Sequence, residues 1–162
     1  MFLEIEHVKI YYEALGEGTP VFLLHGFGCD HRLMTGCLEP VFQSHPGYRR
    51  IYPDLPGMGA SDAPLDKSSS DELLQLLISV IDQLAEGPFL LAGESYGGYL
   101  AQGILSSLAP RVDGLLLICP VVDPENLDRG LSKSARDYDS RFLSTLSPQD
   151  RESFCRYAVI AN

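Results

Sequence analysis

The chain has 162 residues, 45 % of them apolar, the size of one ordinary domain with enough apolar side chain to bury a core. Asp and Glu outnumber Lys and Arg by 22 to 12, giving a net charge of −10, which argues against nucleic acid and anionic membrane surfaces as partners. No apolar run approaches the length of a membrane-spanning helix, and Met1 to Glu6 lack the basic start and long apolar core of a signal peptide, so the cytoplasm is the expected compartment.

Residues 2 to 15 alternate apolar and polar side chains with a polar break near Glu6 and His7, a pattern of two antiparallel strands. A loop over 16–20 leads to Val21, Phe22, Leu23 and Leu24, apolar on both sides as in a strand covered on both faces. A helix is predicted from about Asp30 to Phe42, and a strand from Arg50 to Asp54 ahead of a turn-rich stretch to Pro64. Ser69 and Glu72 form a capping-box pair before leucines and isoleucines at helical spacing over 73–84, and Gly87 and Pro88 end that helix. Phe89 to Ala92 reads as a strand, Tyr96 to Ala109 as a helix and Val112 to Cys119 as another buried strand. Alternating strands and helices make this an α/β fold with a doubly wound, mostly parallel sheet. From Pro120 the chain becomes more polar. Ser147, Pro148 and Asp150 open a further helix, so residues 1–122 read as the core and 123–162 as a separate helical piece.

The four cysteines (Cys29, Cys37, Cys119 and Cys155) are scattered without metal-ligand spacing and read as reduced thiols, mostly buried, with Cys119 in the core. No metal or cofactor is implied. The stretch Gly93-Glu94-Ser95-Tyr96-Gly97 is the most informative, because it follows a strand and opens a helix. A serine on such a sharp turn points its hydroxyl over the sheet edge, and larger residues at the glycines would collide where strand and helix pack. Ligands in these folds bind beyond the carboxyl ends of the strands, where the turn at His25 to Gly28 also lies.

Three motifs in this order, His25-Gly26-Phe27-Gly28, the glycine-rich turn from Asp54 to Asp62, and Gly93 to Gly98, resemble the α/β-hydrolase superfamily of serine hydrolases with a helical cap. The resemblance implies Ser95 as nucleophile and the backbone N–H groups of Phe27 and Tyr96 as the oxyanion hole. It implies His25, Gly26, Gly28, Gly93 and Gly97 as residues that support the turns. His25 would brace the oxyanion turn through hydrogen bonds rather than take the serine's proton. Asp54 and Asp62 are expected to accept backbone N–H bonds of the glycine-rich turn, and His7, His31 and His45 to be solvated. The Phe27 and Tyr96 side chains are candidates to line an acyl pocket. Asp123 reads first as a capping or loop residue, with the triad acid as its alternative.

No histidine follows Ser95, although the superfamily order is nucleophile, acid, histidine. The expectation is therefore an N-terminal part of the hydrolase core without its C-terminal strands, followed by the start of a helical cap cut short. The parent substrate would be a small ester, lactone or related acyl compound. The isolated chain would be inactive or weakly active, since a serine hydroxyl without a base is a poor nucleophile at neutral pH. A serine at the elbow speaks against the branches that place a carboxylate there. The competing class is a non-catalytic binding or interaction module on the same fold. The strand ending at Cys119 is expected to be an exposed apolar edge, prone to self-association or to pairing with a complementing C-terminal fragment.

Overall fold

The computed structural model describes residues 1–63, 69–122 and Ser147, and Met1–Val122 forms one compact unit. The second predicted piece, residues 123–162, lies outside the described residues apart from Ser147, as do Asp123 and Cys155.

Strands β1 (Phe2–Ile5) and β2 (Val8–Leu15) form an antiparallel hairpin. Its two-residue turn holds Glu6 and His7 at φ +48° and +70°, the mirror-image turn that matches strand twist. Then follow β3 (Thr19–Leu24), α1 (His31–Phe42), β4 (Tyr48–Pro53), α2 (Ser70–Leu84), β5 (Phe89–Glu94), α3 (Ser95–Leu108), a short 3-10 turn and β6 (Val112–Ile118). The sheet order is β1-β2-β4-β3-β5-β6, with β4, β3, β5 and β6 parallel. Strand β2 joins β4 antiparallel. The predicted α/β class and mostly parallel sheet are thus present.

Successive residues of β3 face opposite sides of the sheet, and each side has its own core. Phe22 and Leu24 pack with Leu77 and Ile81 of α2 and with Leu100 and Ile104 of α3. Val21 and Leu23 pack with Met34 of α1 and Tyr52 of β4 on the other side. The double covering explains why β3 is apolar throughout. The Ser69–Glu72 capping box is formed, each side chain bonding the other's backbone N–H. Helix α1 begins at Asp30, whose carboxylate accepts the Arg32 N–H and whose pKa Arg32 holds at about 2. Further along, Glu39 of α1 takes both Arg50 and the Tyr52 hydroxyl of β4. The Arg50 hydrogen bonds hold the Glu39 carboxyl below its usual range, while burial, and then Glu39, pushes the Tyr52 phenol up.

Strand β6, read in the sequence both as a buried strand and as an exposed apolar edge, is not fully buried. It is the outer strand of the sheet among the described residues, so its residues are half-buried, and Leu116 is 49 % exposed. An apolar groove of about 320 Å³ runs beside it, between Leu38, Val41 and Phe42 of α1 and Leu90, Gly114 and Leu116 of β5 and β6. Cys119 follows the strand and is exposed at φ +36°, not in the core. Cys29 and Cys37 are exposed too, and all three are free thiols, so the expectation of mostly buried cysteines is corrected. Cys119 follows the outer strand, Cys37 lies on the surface of α1 and Cys29 in the turn before it, while the interior is filled by aliphatic and aromatic side chains. No helix among the described residues is long and apolar enough to cross a membrane.

Candidate active site

Ser95 is the first residue of α3 and directly follows β5, the sharp strand-to-helix turn expected of it. Its φ is +49°, a left-handed conformation that costs a non-glycine residue about 1–3 kcal/mol and persists only where its surroundings enforce it. Two glycines permit that enforcement. A Cβ on Gly93 would lie 2.4 Å from the Gly97 carbonyl oxygen, and one on Gly97 would lie 2.4 Å from that of Leu24 and 2.5 Å from that of His25. Each obstacle is backbone, so neither position accepts a side chain without moving α3 off the sheet. The turn is also held from behind: Val121 N–H donates to the Ser95 carbonyl at 3.1 Å, and the Gln102 amide donates to Gly98 O and Val121 O.

The turn after β3 comes against this elbow. A Cβ on Gly26 would meet Glu94 Oε2 at 2.2 Å and Ser95 Cβ at 3.3 Å. Cys29 N–H donates to Gly26 O, closing a tight turn around Phe27 and Gly28, with Gly28 at φ +75°. The Phe27 and Tyr96 rings pack edge to face, centroids 5.8 Å apart, so the two residues named for an oxyanion hole are neighbours. Tyr96 lies in the first turn of α3, where backbone N–H groups lack intrahelical acceptors and the helix dipole is positive. Phe27 is 52 % exposed, and the Tyr96 hydroxyl pairs with Ser70 Oγ at 3.0 Å.

His25 is fully buried. Its Nδ1–H donates to Gly26 O at 2.8 Å, and its Nε2 accepts the Leu55 N–H at 2.9 Å. Both ring nitrogens are therefore engaged in tying the oxyanion turn to the glycine-rich turn, and burial holds the pKa below its ordinary value. Asp54, also fully buried, accepts Ala60 N–H, as anticipated, and also His31 N–H and His31 Nδ1. His31 is thus not solvated: its side chain is 17 % exposed, between Asp54 and Glu13 and against the Tyr11 ring. Its place at the start of α1 sets it over the end of β4, which spacing along the chain could not reveal. His7 and His45 are exposed as expected. Asp62 reaches past its own turn, its carboxylate accepting Lys9 N–H of β2 while its carbonyl accepts Gly57 N–H.

Asp30, His31 and Asp54 bring ligand-type atoms within metal-binding spacing of one another. Their oxygens already accept from Arg32, His31 and Ala60. The residue the motif reading passed over is Glu94. Its carboxylate abuts Gly26 and accepts the Cys119 thiol at 3.6 Å. Its position in the elbow was visible in the sequence, but the direction of its side chain was not.

The sequence profile of the alpha/beta hydrolase family matches residues 21–159. The chain belongs to the alpha/beta hydrolase family. An alpha/beta superfamily hydrolase from Oenococcus oeni PSU-1 is 32 % identical over 90 % of this chain and 56 % of its own, with a TM-score of 0.72. A thermophilic esterase from Thermogutta terrifontis is 28 % identical over 75 % of this chain and 44 % of its own, at 0.66. The 2-hydroxy-6-oxononadienedioate/2-hydroxy-6-oxononatrienedioate hydrolase of Escherichia coli is 32 % identical over 72 % of this chain and 43 % of its own. The chain spans about half the length of these relatives.

Proposed function

We propose that this hydrolase-family chain carries the nucleophile and oxyanion hole of a cytoplasmic serine esterase, cleaving a small ester, lactone or related acyl substrate through an acyl-enzyme on Ser95. The observation that carries the reading is the strained Ser95, at φ +49°, with Gly26 close beside it and the Phe27 ring against that of the next residue, Tyr96. A receptor would gain nothing from that strain. In the reaction, the Ser95 hydroxyl adds to the substrate carbonyl. The resulting oxyanion takes the Phe27 and Tyr96 N–H groups and the positive end of α3, and the alcohol leaves. Water then releases the acid.

Proton transfer needs a base. The supporting geometry assigns His25 elsewhere, and no histidine follows Ser95 in these 162 residues. The chain alone is therefore inactive or only weakly active. A C-terminal polypeptide supplying acid and histidine would pair with the β6 edge and cover the apolar groove beside it. A fluorophosphonate probe tests this. Labelling of the wild type but not of Ser95→Ala supports the reading, as does labelling that appears only when the C-terminal half of the Oenococcus oeni relative is added. Absence of labelling in both conditions would favour a non-catalytic binding module.

A further inference from the structure

We propose that Glu94 is a specificity residue that screens anionic acyl substrates out of the Ser95 site and leaves it to neutral or cationic ones. The inference rests on the reading of Ser95 as nucleophile and adds the charge class of its substrate.

The Glu94 carboxylate and the Ser95 Cβ border the same point, the place a Gly26 side chain would occupy. That point adjoins Phe27, whose N–H faces the developing oxyanion. Among the described residues Glu94 has no cationic partner. Its contact is the Cys119 thiol, a weak donor that neutralises nothing. The described arginines are engaged elsewhere: Arg32 with Asp30, Arg50 with Glu39, Arg111 with Asp82, and Arg49 with the Leu84 carbonyl. Nor does the Glu94 side chain cap α3. The neighbouring Cys29 thiol registers the same field, its pKa raised first by desolvation and then by Glu94 and Asp30. An uncompensated negative charge at this distance works against an oxyanion. It is tolerable when the donors of the hole outweigh it, and it becomes prohibitive when the substrate brings a second negative charge. A carboxylate on the acyl group would double the repulsion. A neutral acyl chain avoids it, and an ammonium group turns it into attraction.

The test replaces the nucleophile with one that needs no base. In the Ser95→Cys chain, rates of alkylation by iodoacetamide (neutral) and iodoacetate (anionic) are measured peptide by peptide with mass spectrometry. Exposed Cys37 in the same molecule is the reference for intrinsic reactivity and net charge. The ratio of the two rates cancels any change in the thiol's own ionisation. One unit charge at roughly 6 Å in a partly wet site should raise the iodoacetamide preference at residue 95 about fivefold above that at Cys37. Adding Glu94→Gln should remove most of that excess, and 0.5 M salt should compress it in the parent variant. A purely structural Glu94, acting on the α3 dipole, would lower stability in Glu94→Gln and leave the ratio alone. Equal preference at 95 and Cys37, or an excess that survives both Glu94→Gln and salt, overturns the proposal. Should Glu94→Gln not fold, the salt series on Ser95→Cys decides by itself. If neither reagent modifies residue 95 while Cys37 reacts, the nucleophile reading falls and takes this inference with it. An ordinary reaction at 95 without charge preference defeats the inference alone.

Discussion

Alanine at Gly97 should push α3 away from the sheet at the elbow. The added methyl would sit 2.4 Å from Leu24 O and 2.5 Å from His25 O, both under the 3.0 Å that such contacts tolerate. Those oxygens belong to the end of a central strand paired on both sides, so neither can swing aside. The helix must retreat by on the order of 1 Å, and overpacking of this kind costs about 1–3 kcal/mol, sometimes more. Alanine's better helix propensity returns about 1 kcal/mol, so a net loss of about 1 kcal/mol is expected. Gly36→Ala is the control: it lies in the exposed interior of α1 with nothing within 4 Å of its Cβ position. It should gain about 0.5–1 kcal/mol from propensity and a stiffer unfolded chain. Urea unfolding followed by far-ultraviolet circular dichroism resolves both, since the Gly97 loss amounts to roughly a 0.5 M shift in midpoint for a chain of this size. A Gly97→Ala midpoint equal to or above the wild type, like that of Gly36→Ala, would refute the close-approach argument.

Asp54→Asn should destabilise the protein by about 1.5–3 kcal/mol, because one of the oxygens receiving His31 and Ala60 becomes an amide facing N–H donors; a loss under 0.5 kcal/mol in the same urea assay would contradict it. His25 is held neutral by burial, with a folded pKa below that of the unfolded chain. Its contribution is therefore complete above about pH 6.5 and drains away as pH falls below that value. A His25→Asn variant should lose the slope of stability between pH 7 and 5 while remaining less stable at pH 7. Asp30, with its pKa near 2, contributes above the ordinary carboxylate range and loses its contribution only as pH falls toward that value, so its effect is separable. Leu116→Glu, on the outer strand among the described residues, should weaken self-association of the chain at least tenfold in sedimentation or light scattering. A wild type monomeric at all concentrations would oppose the edge argument.

The elements were legible because each carried a local signature: alternation in β1 and β2, an unbroken apolar run in β3, and a capping box at α2. The elbow was legible from its local motif, although only Gly93 is required by a contact one turn away, at Gly97 O, while Gly97 answers to the distant Leu24 and His25 carbonyls. What stayed hidden depended on partners distant in sequence. His31 is held by Asp54, 23 residues on, and Asp62 by Lys9, 53 residues back. Cys119 follows a strand composed like an interior one, and the strand order among the described residues is what makes it peripheral. Glu94 announces a charge in the motif but not the direction in which it points.

The two margins of the sheet are unequal. Strand β1 is four residues long, carries Glu4, and sits beside the polar turn of Glu6 and His7. The glycine-rich turn, meanwhile, laces itself along β2 through Ser61 and Asp62. The opposite margin, Val112–Ile118, offers a longer and greasier template. Two copies that met through that margin alone would close on a twofold axis, whereas a second margin of the same kind would propagate a fibre.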